Sequence, residues 1–349
     1  MVEKKILKLE NRSENINKEK SRKKAIPTEA SIDPATQQMI ARAQDLNIET
    51  VFDRAQNMKP CNIGVQGICC KNCSMGPCRL PLPKSGIQGE DDRKGLCGAT
   101  PNTIAARNFI RMIAGGAAAH SDHGRCVAEV FVSAANKETD VYKIKDHDKL
   151  LSIAPYFNVD IKIEVDGELV DRDIDEIAVE VGEKALNEWG KPKGELLYLK
   201  RAPEALYKKW KDNGVCPRNI DREIVEIMHR THMGVDQDYK NLIKQGTRAS
   251  IADGWGGSMM ATDLQDVLFG TPYPLESEAN LGVMKEDHVN IVIHGHEPIL
   301  SEMIVVVAQS REMEDYAKSK GAKGIQLSGI CCTANEILQR HGVPLCGTF

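Results

Sequence analysis

The chain has 349 residues with 46 Lys+Arg against 50 Asp+Glu, a net charge of −4, and 41% hydrophobic and 5% aromatic residues. That is core material for about two or three domains. The near-neutral balance and few aromatics exclude nucleic acid as the main partner, and no apolar run approaches the roughly 18 residues of a membrane span. The N-terminus is charged from Glu3 onward with no apolar export segment, so the expected compartment is the cytoplasm. Eleven cysteines in a reducing compartment read as metal or redox ligands rather than as a disulfide framework.

Taken in chain order, residues 1–30 read as a charged tail, with nine Lys/Arg and four Asp/Glu among the first 24. Residues 31–280 read as a mainly α-helical domain. Ser31, Asp33 and Pro34 offer a cap and first turn to an amphipathic helix over Ala35 to Arg54. Cys61 to Gly98 is too rich in Gly, Pro and Cys to hold itself together by a core of its own. Thr100-Pro101 opens a long apolar helix, expected from Ala105 towards Ala134, and further helices are expected over Ala178 to Trp189, Ala205 to Asp212 and Arg222 to Met233. Near residue 288 the period changes. His288 to Ile293 reads as a strand, Pro298 to Ala322 as a helix, Gly324 to Gly329 as a second strand, Thr333 to Arg340 as a helix, and Val343 to Cys346 as a third strand. Residues 281–349 therefore read as the start of a Rossmann-like α/β domain with a parallel sheet, whose ligands sit at the carboxyl ends of strands. The sheet looks half built, which suggests a fragment of a longer protein.

Six of the cysteines fall between Cys61 and Cys97 in the pattern Cys61-x7-Cys69-Cys70-x2-Cys73-x4-Cys78-x18-Cys97. One C-x2-C-x4-C core with a distant fourth thiolate suits a 4Fe-4S cubane, whereas zinc ribbons show two C-x2-C knuckles. Neighbouring residues of an extended segment point in opposite directions, so Cys69 and Cys70 are expected to serve different centres. If Cys70, Cys73, Cys78 and Cys97 hold one cubane, Cys61 and Cys69 are half of a second ligand set. Two-fold symmetry would supply the other half from a second copy, and two idle thiols are the alternative. Further along, His294 and His296 follow one strand and Cys331 and Cys332 follow the next, so both pairs can project into one crevice. His120 and His123, three apart on a helix, share a face and could relay protons.

The segments 61 to 79 (CNIGVQGICCKNCSMGPCR), Gly95 to Thr100, Ala119 to Arg125 (AHSDHGR), Met233-Gly-Val-Asp, Ala252-Asp-Gly-Trp, 261 to 272 (ATDLQDVLFGTP), 294 to 298 (HGHEP) and Gly329 to Glu336 (GICCTANE) resemble the anaerobic nickel-iron carbon monoxide dehydrogenases over about residues 32 to 349. The resemblance implies a prismane/carbon monoxide dehydrogenase-like fold and a homodimer. It also implies a 4Fe-4S cluster on Cys70, Cys73, Cys78 and Cys97, and a bridging 4Fe-4S cluster on Cys61 and Cys69 of two subunits. It further implies a nickel-iron-sulfur cluster whose pendant iron is held by His296 and Cys332, with Cys331 as an accessory thiol. The implied reaction interconverts CO and water with CO2, two electrons and two protons. A ferredoxin-like protein is the expected electron acceptor, with an acetyl-CoA synthase subunit as a second candidate partner. The family's histidine row continues where this chain has Cys126 and Glu129. Other cysteine ligands and a lysine lie beyond the chain's length in the family, so the 349 residues by themselves are expected to oxidise no CO. Two alternatives are a hybrid-cluster or hydroxylamine-reductase-like redox enzyme and a non-catalytic truncated 4Fe-4S electron carrier.

Overall fold

A computed structural model describes residues 30–83, 85–86 and 91–347. The charged tail expected over residues 1–30 lies outside the described residues but for its last position. The chain divides into two compact units between Cys61 and Asn62.

In the first unit, α1 (Pro34–Asp45) starts as expected, with the Asp33 carboxylate accepting from the Thr36 amide at 2.7 Å. The helix expected to run unbroken to Arg54 does not. Asn47 turns the chain in the left-handed conformation at φ 53°, and α2 (Val51–Asn57) starts anew on a capping box in which Asp53 accepts from the Thr50 amide at 2.8 Å. A fresh set of satisfied amides at Thr50 outcompetes continuation.

In the second unit, one helical turn, α3 (Asn62–Val65), leads into a two-residue antiparallel ladder of β1 (Cys69–Cys70) and β2 (Cys78–Arg79). The long helix α4 (Pro101–Ala135) follows, with Thr100 as its N-cap and Pro101 at its first position. Around it come α5 (His147–Ile153), the hairpin β3 (Lys162–Val165) and β4 (Glu168–Asp171), α6 (Ile174–Gly190), α7 (Glu204–Asp212) and α8 (Ile220–Arg230). α8 stops short of Met233 because Thr231 closes it, its amide and hydroxyl both returning to the Ile227 carbonyl. Next, α9 (Tyr239–Ala252), a π-helical stretch over Asp253–Met260 and α10 (Ala261–Phe269) form one continuous rod.

α4 is the spine of this part. Val127, Ala128 and Phe131 pack with Ile177, Val181, Trp189, Tyr198 and Leu264 into the main core, while Ala106, Ile110 and Ala114 meet Ile227, Leu242 and Ala249 in a second one. The π stretch crosses α4 almost backbone to backbone. A Cβ on Gly257 would stand 3.2 Å from the His120 carbonyl carbon, and one on Gly124 would stand 2.8 Å from the Gly257 oxygen.

The remainder is β5 (Val289–His294), α11 (Pro298–Ala308), α12 (Arg311–Ser319), β6 (Ile325–Ile330), α13 (Cys331–His341) and β7 (Leu345–Gly347). The strands pair in parallel in the order β5-β6-β7, with His294 opposite Ile330. This is a mainly α protein followed by a parallel α/β sheet. The single helix expected over Pro298 to Ala322 is two, because the Ser310 hydroxyl caps α12 by accepting from the Met313 amide at 3.4 Å. No helix among the described residues is long and apolar enough to cross a membrane.

Candidate metal centres

The cysteine loop is built by short-range pairing. Cys70 faces Cys78 across the β1–β2 ladder, and Cys73 lies in the turn that connects them, its carbonyl accepting from the Gly76 amide at 3.4 Å. Cys97 arrives on a second turn, closed by the Gly98 amide on the Gly95 carbonyl at 2.9 Å. That turn lies against the ladder, since a Cβ on Gly95 would stand 3.2 Å from the Cys78 Cβ and 3.4 Å from its sulfur. Cys70, Ala99 and Ile104 are buried together, with Cys78 and Cys97 packed on them. Cys69, half-buried beside buried Cys70, is tied to α4 by the Asn108 amide, which donates to the Cys69 and Gly67 carbonyls at 3.1 and 2.8 Å. Cys61 ends the first unit and is exposed.

The electrostatics at Cys97 favour thiolate. Burial pushes the Cys97 thiol up, but the Arg107 guanidinium at 3.6 Å, the Ala99 and Gly234 amides and the Gln237 side chain outweigh it and hold the pKa at about 7. Among the described residues no three His, Cys, Asp or Glu groups converge on a single-ion point. An all-thiol set with cationic and amide donors around it instead fits a polynuclear iron-sulfur group, whose four thiolates each bind a different iron.

The second centre lies at the carboxyl ends of β5 and β6. His294 ends β5, Gly295 turns the chain, and Glu297 caps α11 by accepting from the Ile299 and Leu300 amides at 3.2 and 2.9 Å. Cys331 follows β6 directly in the left-handed region at φ 72°, a conformation that costs a residue bearing a side chain about 1–3 kcal/mol and clusters at functional sites. The Thr333 amide donates to the Gly295 carbonyl at 3.1 Å and ties the two strand ends together. His294 Nε2 lies 3.0 Å from Cys331 Sγ. His296 instead turns to α4, its ring centroid 6.2 Å from that of His120 and 5.7 Å from that of His123. Cys332 is half-buried, and its thiol is pushed up by burial and by neighbouring Cys331 and Glu336. Cys346 is buried packing.

Around the histidines the charges are unequal. His120 Nδ1 lies 2.7 Å from the Asp253 carboxylate at the head of the π stretch, and this hydrogen bond raises the imidazole pKa. Burial, and next the His296 ring, lower that of His123, whose buried Nδ1 has no protein partner. Cys126, one turn on, is pushed up to about 11 by burial and by the Glu297 carboxylate, so it stays a neutral thiol. The structure brings Asp253, Glu297 and Arg107, which the sequence does not single out one by one, up to the thiols and imidazoles that it does. Asp253 lay inside the Ala252-Asp-Gly-Trp segment, and its partner is 133 positions away.

The profile of the prismane/CO dehydrogenase family matches residues 68–349. Carbon monoxide dehydrogenase 1 of Methanosarcina acetivorans is 50% identical over 323 residues, covering 92% of this chain and 49% of that protein. The carbon monoxide dehydrogenase/acetyl-CoA synthase subunit beta of Moorella thermoacetica is 43% identical over 323 residues, covering 91% and 46%. The nickel-free crystal structure of carbon monoxide dehydrogenase from Thermococcus sp. AM4 superposes with a TM-score of 0.84 at 48% identity, covering 93% of this chain and 50% of that one. The chain spans about half the length of the curated relatives it matches.

Proposed function

Since the chain belongs to the prismane/CO dehydrogenase family, we propose that it is part of an anaerobic carbon monoxide dehydrogenase. The reaction interconverts CO and water with CO2, two electrons and two protons. The observation that carries this reading is the meeting of His296, two residues past a parallel strand, with His120 and His123 of α4, while His294 at the end of that strand contacts Cys331. When bound, a nickel-iron-sulfur group supplies Lewis acidity toward CO and water and a store for two electrons. Thiols and imidazoles are the donor types such a group takes. The resemblance to the family assigns His296 and Cys332 to the pendant iron, with Cys331 as an accessory thiol, and the contact of His294 with Cys331, which involves neither His296 nor Cys332, supports that assignment.

Protons are the task of this chain's own side chains. His120 gives Nδ1–H to Asp253 and so presents Nε2 as the acceptor, and the carboxylate steadies the imidazolium that forms. His123, kept neutral by burial, offers the next site. Cys70, Cys73, Cys78 and Cys97 would hold a 4Fe-4S cubane, which would supply one-electron redox chemistry there. Cys69 contributes to a second cubane shared with a second copy. The exposed Phe109 and Met112 and the open Gly115 and Gly116 on α4 support burial of that face in a homodimer. A ferredoxin-like acceptor and an acetyl-CoA synthase subunit are the proposed partners.

The test uses this sequence within the relatives' full length, produced anaerobically with iron, sulfide and nickel. CO-dependent viologen reduction is expected, absent without nickel. Asp253→Asn is expected to lower it by roughly 10- to 100-fold at unchanged iron content, as loss of an orienting partner does. Protein replete in both metals that oxidises no CO would overturn the reading, and a wild-type rate in Asp253→Asn would remove the relay.

A further inference from the structure

We propose that Arg107 is the fixed counter-charge of the cubane in the cysteine loop and holds its reduction potential up. This rests on the reading of Cys70, Cys73, Cys78 and Cys97 as that cluster's ligands. Arg107 comes from the inner face of α4 and is only 1% exposed. Its Nη2 donates to the Asp236 carbonyl at 2.8 Å, its Nη1 points to Cys97 Sγ at 3.6 Å, and its Nε is buried without a partner. Among the described residues no carboxylate lies within ion-pair distance of it.

A guanidinium is a permanent cation, and a buried one is tolerated only against an anion. Cys97 alone does not supply that anion in full at neutral pH. A cubane with four thiolates does: it is a dianion when oxidised and a trianion after taking one electron. The cation therefore stabilises the reduced cluster more than the oxidised one. The free Nε–H and the Nη1 at Cys97 are also donors toward the cluster, and hydrogen bonds to the sulfurs raise the potential further. The Gln237 amide, which donates to the Cys97 carbonyl at 2.9 Å, buttresses the same turn without adding charge.

The experiment follows the EPR signal of the reduced cubane in the anaerobically reconstituted chain, the relevant signal being the one that Cys73→Ser abolishes. Dithionite, through viologen mediators, delivers one electron to each cluster and is itself oxidised, with no proton transferred. Arg107→Met is expected to weaken reduction at least tenfold, which is about 59 mV for one electron, while Arg107→Lys keeps most of the wild-type potential. Should the methionine variant lose the cluster, Arg107→Gln carries the same comparison. Loss of the cluster in both neutral variants with retention in the lysine variant also supports the counter-charge. An unchanged potential in Arg107→Met, or equal loss of the cluster in all three variants, overturns the inference while the ligand assignment stands. No signal that depends on Cys73 overturns both.

Discussion

Glu226 lies between two guanidiniums, hydrogen-bonded to Arg218 and 2.6 Å from Arg230. Burial pulls its carboxyl up, but the hydrogen bonds from Arg218 and then Arg230 outweigh this and depress its pKa below the usual 4.5. A depressed carboxylate stabilises the fold above its unfolded value, and that stability is lost as pH falls through the folded value. Melting temperature is therefore expected to drop as pH is lowered below about 4.5, and Glu226→Gln is expected to flatten that drop while lowering the melting temperature at pH 7. Equal acid sensitivity in the two proteins would show that other carboxylates control the transition. Residues of this kind were not legible in the sequence. The gathering of Cys70, Cys78 and Cys97 was, because cysteine spacing within one loop is local chemistry. Arg107 reads as an ordinary helix residue until tertiary packing buries it beside Cys97, and His120 finds Asp253 across 133 positions.

At the scale of elements, the close crossing of α4 and the π stretch sets the position of His120. Gly257→Ala would press a methyl to 3.2 Å from the His120 carbonyl carbon and 3.3 Å from the Ser121 nitrogen, both backbone atoms that cannot swing aside. Overpacking of this kind is expected to destabilise by about 1–3 kcal/mol, read as a lower denaturation midpoint, and an unchanged midpoint would show that the crossing has slack. The ends of α4 and the three parallel strands were legible, since Thr100-Pro101 and the β-branched runs are strong local signals. The hairpin of β3 and β4 carried a signal that went unread, Asp166-Gly167 at its turn, both with positive φ. The π stretch, with Gly254, Gly256 and Gly257 in eight residues, has no hydrophobic period to announce it.

Across the whole second unit, the helical part and the sheet part are clasped by charge. Arg340 of α13 reaches Asp266 of α10 at 2.6 Å and also meets Glu302 and Glu336, with Asp266 and Glu302 buried and the Arg340 side chain only 4% exposed. Asp266 in turn binds Lys149 of α5 at 3.0 Å. Arg340→Met leaves buried carboxylates without their cation and is expected to destabilise by about 3–5 kcal/mol, measured by denaturant unfolding; a loss under about 1 kcal/mol would show that Lys149 alone suffices. The rod from Tyr239 to Phe269 has a different consequence. Leu242 and Ala249 before the π stretch serve the core around Ile110, whereas Met260, Leu264 and Val267 after it serve the core around Phe131. An α-helix with one unbroken stripe can face only one way. The wider π turn shifts the angular phase of the rod, so that Met260, Leu264 and Val267 join the core that Ile251 reaches ahead of it, and Asp253, at the point where the phase changes, meets His120 of α4.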